Sequence, residues 1–218
     1  MSSLSDLTPG MIGFGPIRGS AGLLVSAGQL LLGEGFRVGD LDIRHVFVVV
    51  RGGEGPAWPQ VVEAEPGGAQ LRSIADGRLL VDVDNRWTDQ YAYVRLPEDY
   101  PGQATDAAAI ARAMIGTPYS FASYAALAAW RMGMKTPRLE AWINRRKGTS
   151  PILANRPSHV GSAGLPREAI CSVLADQAWS LTGKKIMEGV AHQCVTPGAL
   201  AGRLLAMDGA HWMWPGRG

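Results

Sequence analysis

Ile43-Arg44-His45-Val46-Phe47-Val48-Val49-Val50-Arg51 is a run of β-branched and aromatic residues closed by Gly52-Gly53. Such a run reads as a strand. His45, Phe47 and Val49 share one of its faces; Val46, Val48 and Val50 share the other. Both faces are apolar beyond the histidine, so the strand is expected to be covered on both sides. A buried imidazole at its head requires a partner. The next apolar run, Gln60-Val61-Val62-Glu63-Ala64-Glu65, offers two. Glu63 and Glu65 are two apart and point to one face. Either can orient the ring, and alternation does not choose between them. The plainer readings are a solvent-facing row of carboxylates and a histidine satisfied by a backbone carbonyl.

Outward from this pair, residues 11–14 form a short apolar run after Thr8-Pro9-Gly10, a first strand after a turn. Residues 69–74 can fold back on 60–65 as a hairpin across Pro66-Gly67-Gly68, and 90–96 is a further strand ended by Pro97. Residues 21–32 read as a helix closed by Gly33 and Gly35. The pattern then changes. Residues 105–115 are Ala-rich and helical, stopped by Gly116-Thr117-Pro118, and helices follow at 121–132 and 137–147. Residues 148–164 read as a long loop. Pro166 suits a first helical position, and that helix is expected to run to Thr182, before Gly183. Thr196-Pro197-Gly198 opens a last helix at 199–207; the tail from Trp212 has no evident place. Residues 1–97 are thus strand-rich and 98–218 helix-rich. That division predicts an α+β fold, an antiparallel sheet packed against helices. No linker splits the chain, so one domain over 1–218 is expected.

Composition narrows the function classes. The chain has 218 residues, 46% hydrophobic and 18% charged, enough for a sizeable core. A net charge of +2 gives no argument for nucleic acid; the basic cluster at 138–147 reads as a solvated helix face. The two cysteines, Cys171 and Cys194, make no disulfide framework. No Cys-x-x-Cys or His-x-x-x-His pair suggests zinc. Asp82-Val83-Asp84-Asn85 lacks the glycine and closing glutamate of a calcium loop. No metal and no cofactor are therefore expected. Residues 21–32 are too short and interrupted to span a bilayer, and no secretory signal of the usual kind precedes them. The expectation is synthesis in the cytoplasm without an integral membrane segment; later export stays open.

Cys171 is the chemically pointed residue of the second half. In Leu165-Pro166-Arg167-Glu168-Ala169-Ile170-Cys171-Ser172 it falls in the first turn or two of a helix. There the dipole and open backbone N–H groups favour thiolate, and a nearby imidazole can hold the proton. The plainer reading is a buried structural thiol. The following Ser172 and the long Gly-rich loop before the helix point away from it. His159, in that loop, can approach the same site. His192, close to Cys194, and His211, in the Trp-rich tail, are weaker candidates.

With these residues in place, the chain resembles the circularly permuted NlpC/P60 group of papain-like proteins, in which the histidine strand precedes the cysteine helix. Pro9-Gly10-Met11-Ile12-Gly13-Phe14 resembles the family's opening strand, and His45-Val46-Phe47-Val48-Val49 its histidine strand. Val62-Glu63-Ala64 with Pro66 and Gly68 resembles the strand and turn that follow. Gly116-Thr117-Pro118-Tyr119-Ser120-Phe121 resembles its approach to a helix, Ile170-Cys171-Ser172 with Leu174-Ala175 its nucleophile helix, and Val195-Thr196-Pro197-Gly198-Ala199-Leu200 its closing motif. The resemblance implies Cys171 as nucleophile, His45 as base, Glu63 as third member and Tyr119 as a substrate contact near the cysteine. Arg44, Phe47 and Met11 depart from the pattern, and Phe47 is expected to narrow the cleft.

The function so implied is a thiol hydrolase, a cysteine peptidase or amidase, cutting amide bonds through an acyl-enzyme, with cell-wall (peptidoglycan) peptides as the favoured substrate. The group also includes enzymes acting on lipid acyl groups, and fold alone does not choose the substrate. A different class of function is a structural or binding module of a larger assembly, such as a virion or envelope complex. Trp58, Trp130, Trp142, Trp212 and Trp214 would then supply contacts. A lipid-handling reading rests on the apolar helix at 121–132, whose plainer reading is a core helix.

Overall fold

The computed structural model describes residues 4–15, 45–52, 59–65, 67–73, 91–119, 169–189 and 195–213. The run with the histidine becomes β2, His45–Arg51, buried at every position except the last. Its neighbours are β1, Ile12–Gly15, and β3, Gln60–Glu65. Beyond these lie β4, Gly68–Ser73, and β5, Ala92–Arg95. The six-stranded sheet has the order β4-β3-β2-β1-β5-β6, where β6 is His211–Met213. Each neighbouring pair is antiparallel. β2 is thus an interior strand, and a core layer covers each of its faces.

Three α-helices are described: α1, Gln103–Ala113; α2, Cys171–Ser180; and α3, Pro197–Leu205. α1 and α2 pack on β2 and on each other, and α3 packs on α2. One core layer joins Val46, Val48 and Val50 to Ile12, Val62 and Val94 and to the helices through Ala107, Ala111, Leu174 and Trp179. The alanines of α1 let its backbone approach the sheet. The other layer holds Met11, Phe47, Val49, Val61, Tyr91, Tyr93 and Met213. The alternation read from the sequence therefore sorts β2 correctly between two layers.

Local chemistry fixes how the helices start. Thr196 caps α3 by accepting from the Ala199 N–H at 3.2 Å, with Pro197 at the first helical position. α2 differs from the expectation. Its predicted start was Pro166, but the helix begins at Cys171: Ile170 is extended (φ −100°, ψ 166°). Ala169 is bridged in parallel to Tyr119 and donates its N–H to the Pro118 carbonyl at 3.0 Å. A residue committed to that bridge cannot join the helical ladder. Cys171 is consequently the first helical residue, not a member of a later turn.

The helix-rich half also contributes one strand to the sheet. The tail that had no evident place forms β6, which pairs Met213 with Tyr93 and Trp212 with Val94. The Trp212 ring stacks on Phe14 at 5.5 Å between centroids. Burial of a large aromatic surface returns the C-terminal segment to the edge of a sheet built by the first half of the chain. Of the remaining expectations, the helices at 21–32, 121–132 and 137–147 and the loop at 148–164 lie outside the described residues.

Candidate active site

Three elements converge on His45. The ring heads β2. Glu63 sits in β3, where the register pairs it with Phe47, so its side chain shares the face of His45 and Phe47. Glu63 is 1% exposed, and its Oε2 lies 2.7 Å from His45 Nε2. The thiol of Cys171 lies close enough to the ring to raise its proton affinity. With Nε2 engaged by Glu63, Nδ1 is the nitrogen left for sulfur. Cys171 and His45, 126 positions apart in the chain, are thus neighbours, with Glu63 behind the ring.

Electrostatics follow from this arrangement. Burial by itself drives the His45 imidazole toward its neutral form. The hydrogen bonds to Cys171 and Glu63, and the negative charge those groups can carry, outweigh burial and raise its pKa from 6.5 to about 10. The ring is therefore poised to hold a proton taken from a thiol. Tyr91, buried in the adjoining layer, is pushed up to about 12, by burial first and then by the charge of Glu63.

The sulfur sits where a helix presents its open amides. The first N–H groups of α2 have no intrahelical acceptor, and Ile170 contributes no side-chain cap. Two further bonds hold the helix in place. Ser172 donates its hydroxyl to the Val195 carbonyl at 2.6 Å, tying the cysteine motif to the residue before the α3 cap. Trp179 donates its indole N–H to the Gly10 carbonyl at 3.0 Å, tying the same helix to the approach of β1.

Alternation left Glu63 and Glu65 open; the tertiary structure separates them. Glu65 is half-buried and is engaged by Arg72 Nη2 at 3.2 Å and by the Gln70 amide. Glu63 alone reaches the ring. Tyr119 lies beside Ala169, two residues before Cys171. His211 is exposed in β6, three strands from β2. His159, His192 and Cys194 lie outside the described residues.

Phe47 does not stand over an open cleft. It is fully buried, and its ring occupies the space over Gly13, where a Cβ would come within 2.0 Å of it. Tyr93 meets it edge-on at 5.8 Å, and His45 lies at 6.1 Å between ring centroids. Phe47 is a wall behind the histidine, and Gly13 is the position that admits it.

Sequence reading missed Arg72. Its Nε lies 3.4 Å from Glu63 Oε1, the oxygen that His45 does not use. The register of the folded hairpin brings it there: Glu65 pairs with Gly68, hence Glu63 with Gln70 and Val61 with Arg72, one residue away from the pairing that a turn across Pro66-Gly67-Gly68 would give. That register puts Gln70 and Arg72 on the face of the two glutamates.

Among the described residues no group of three or more His, Cys, Asp or Glu is arranged to hold a metal ion. Among them, too, no helix is long and apolar enough to cross a membrane. No family model, curated protein or solved structure matches the chain.

Proposed function

We propose that this chain is a cysteine hydrolase of the permuted NlpC/P60, papain-like type, acting on amide bonds. One observation carries the reading: a buried imidazole bonded to a buried carboxylate, with the thiol of a residue at a helix tip close enough to act on its proton. The motifs of the first subsection agree with it in kind and in chain order.

In the proposed reaction His45 takes the proton of Cys171 and holds it as imidazolium, with Glu63 fixing the ring. The sulfur attacks the amide carbonyl and forms a C–S bond. Open N–H groups at the start of α2 face the charge that develops on oxygen, where one lost donor typically costs about a hundred-fold in rate. His45 returns the proton to the departing nitrogen as the C–N bond breaks, leaving a thioester. Water, deprotonated by His45, then adds to the thioester and releases the carboxylic acid and the thiol. Resemblance favours peptides of the cell wall as substrate, and Tyr119 as a group that contacts them.

The test is alkylation by iodoacetamide near neutral pH, with peptide mapping. The reading expects Cys171 to be labelled well before Cys194, labelling at Cys171 to fall with His45→Ala, and hydrolysis of peptidoglycan peptides to vanish with Cys171→Ala. Equal, slow labelling of both cysteines would remove it. A structural or binding module is the second reading, favoured by the burial of both reactive groups, Cys171 at 4% and His45 at 7% exposure. It expects slow labelling and unchanged assembly in Cys171→Ala.

A further inference from the structure

We propose that Arg72 is a positioning residue for the site: it fixes Glu63 behind His45, and Glu65 and Gln70 hold Arg72 in turn. The inference rests on the reading of Cys171, His45 and Glu63 as a nucleophile site and deepens it.

The geometry is a chain of charge across the β3–β4 hairpin. The side chain of Glu63 is 2% exposed, and its two oxygens are divided between two cationic groups: His45 at 2.7 Å on Oε2 and Arg72 at 3.4 Å on Oε1. Arg72 spans onward to Glu65, 3.2 Å from Nη2. Gln70 donates to the same Glu65 oxygen. A carboxylate with a cationic group at each oxygen is restrained from turning away from the ring.

Charge supplies a second reason. During the proposed reaction His45 alternates between imidazolium and neutral imidazole. Whenever it is neutral, Glu63 would be a buried charge with no partner, which is costly. Arg72 keeps that charge compensated throughout the cycle. It is one-third exposed at the edge strand β4 and stays charged at any working pH. The other groups that face Glu63 are Tyr91 from beside β5 and, through the ring, Cys171 from α2. Neither is a cation. Arg72 is thus the one standing positive charge among the described residues around Glu63.

Loss of the guanidinium leaves the buried Glu63 charge without a partner whenever His45 is neutral and frees the carboxylate that holds the ring. The experiment follows iodoacetamide alkylation of Cys171 in the full chain against pH, for wild type, Arg72→Ala, Arg72→Lys and Glu65→Gln. Thermal unfolding of each variant is recorded alongside. Arg72→Ala is expected to move the acid limb of the profile upward by about one pH unit, the low end for a removed charge because Arg72 is partly solvated. Arg72→Lys should restore most of the limb. Glu65→Gln, which frees the far end of Arg72, should shift it in the same direction by less, and it serves if Arg72→Ala does not fold. A profile for Arg72→Ala, or for Glu65→Gln in its place, that overlays the wild type would overturn the proposal. So would a shift that Lys does not restore at all, since that would mark a packing defect only. A wild-type Cys171 that alkylates no faster than Cys194 would overturn the nucleophile reading itself, and Arg72's role with it.

Discussion

Glu63→Gln keeps the shape of the side chain and removes its charge. In the native site the carboxylate serves two cationic groups, one on each oxygen. A Gln amide has a single oxygen for both, so either His45 or Arg72 must face an NH2 group. A hydrogen bond to a charged group contributes about 1.5–3 kcal/mol. Breaking a buried pair by removing one partner costs about 3–5 kcal/mol. Because Gln retains one acceptor, the expected loss is about 2–3 kcal/mol, read by urea unfolding. The loss depends on pH. His45 has the ordinary value of 6.5 in the unfolded chain and is raised to about 10 in the folded protein, where its partners outweigh burial. A raised folded value means that its stabilisation is complete below 6.5 and disappears as pH rises through about 10. The difference between wild type and Glu63→Gln should therefore stay constant up to the variant's own folded value, about one to two units below that of the wild type, and shrink only as pH rises from there through about 10. In the variant, the His45 ring signal in NMR should titrate lower by about one to two pH units, since each unit corresponds to roughly 1.4 kcal/mol. An unchanged ring titration, or a stability deficit that does not shrink toward alkaline pH, would refute the claim that Glu63 holds the imidazolium.

Three further outcomes concern what supports the site. Gly13→Ala places a methyl 2.0 Å from the Phe47 ring; overpacking of this kind costs about 1–3 kcal/mol, and thermal unfolding should show it, with slower labelling of Cys171 because Phe47 backs His45. Trp179→Phe leaves the Gly10 carbonyl without its indole donor and opens space in a filled layer; about 2 kcal/mol should be lost in denaturant unfolding. Thr196→Ala removes the acceptor for the Ala199 N–H and should cost about 1 kcal/mol, whereas Thr196→Ser should unfold near the wild-type midpoint.

Periodicity alone placed β2 and sorted its side chains between two layers, because alternation in a strand is a property of the backbone. Composition and turn residues likewise marked β3, β4, α1 and α3 within a few residues, but a turn across Pro66-Gly67-Gly68 would pair Glu65 with Ala69, and only the Glu65-to-Gly68 register of the folded sheet brings Arg72 to the face of the glutamates. The start of α2 was not legible in this way. Pro166 is a good local signal for a helix start, but Ala169 spends its N–H on Pro118, a partner about fifty residues earlier. The tail at Trp212 failed for the same reason: its place depends on Phe14 and β5, far away in the chain.

The residue types and their order in the chain, a histidine strand, a glutamate strand and a cysteine near a helix start, are properties of the amino-acid sequence by itself. Which glutamate meets the ring, that Cys171 is the first helical residue, and that a guanidinium backs the carboxylate were decided only in three dimensions. Glu63 and Glu65 are equivalent to any local rule; they separate because one is buried against His45 and the other is held at the hairpin edge by Gln70 and Arg72. Pairing across strands, not preference along them, sets the chemistry of this site.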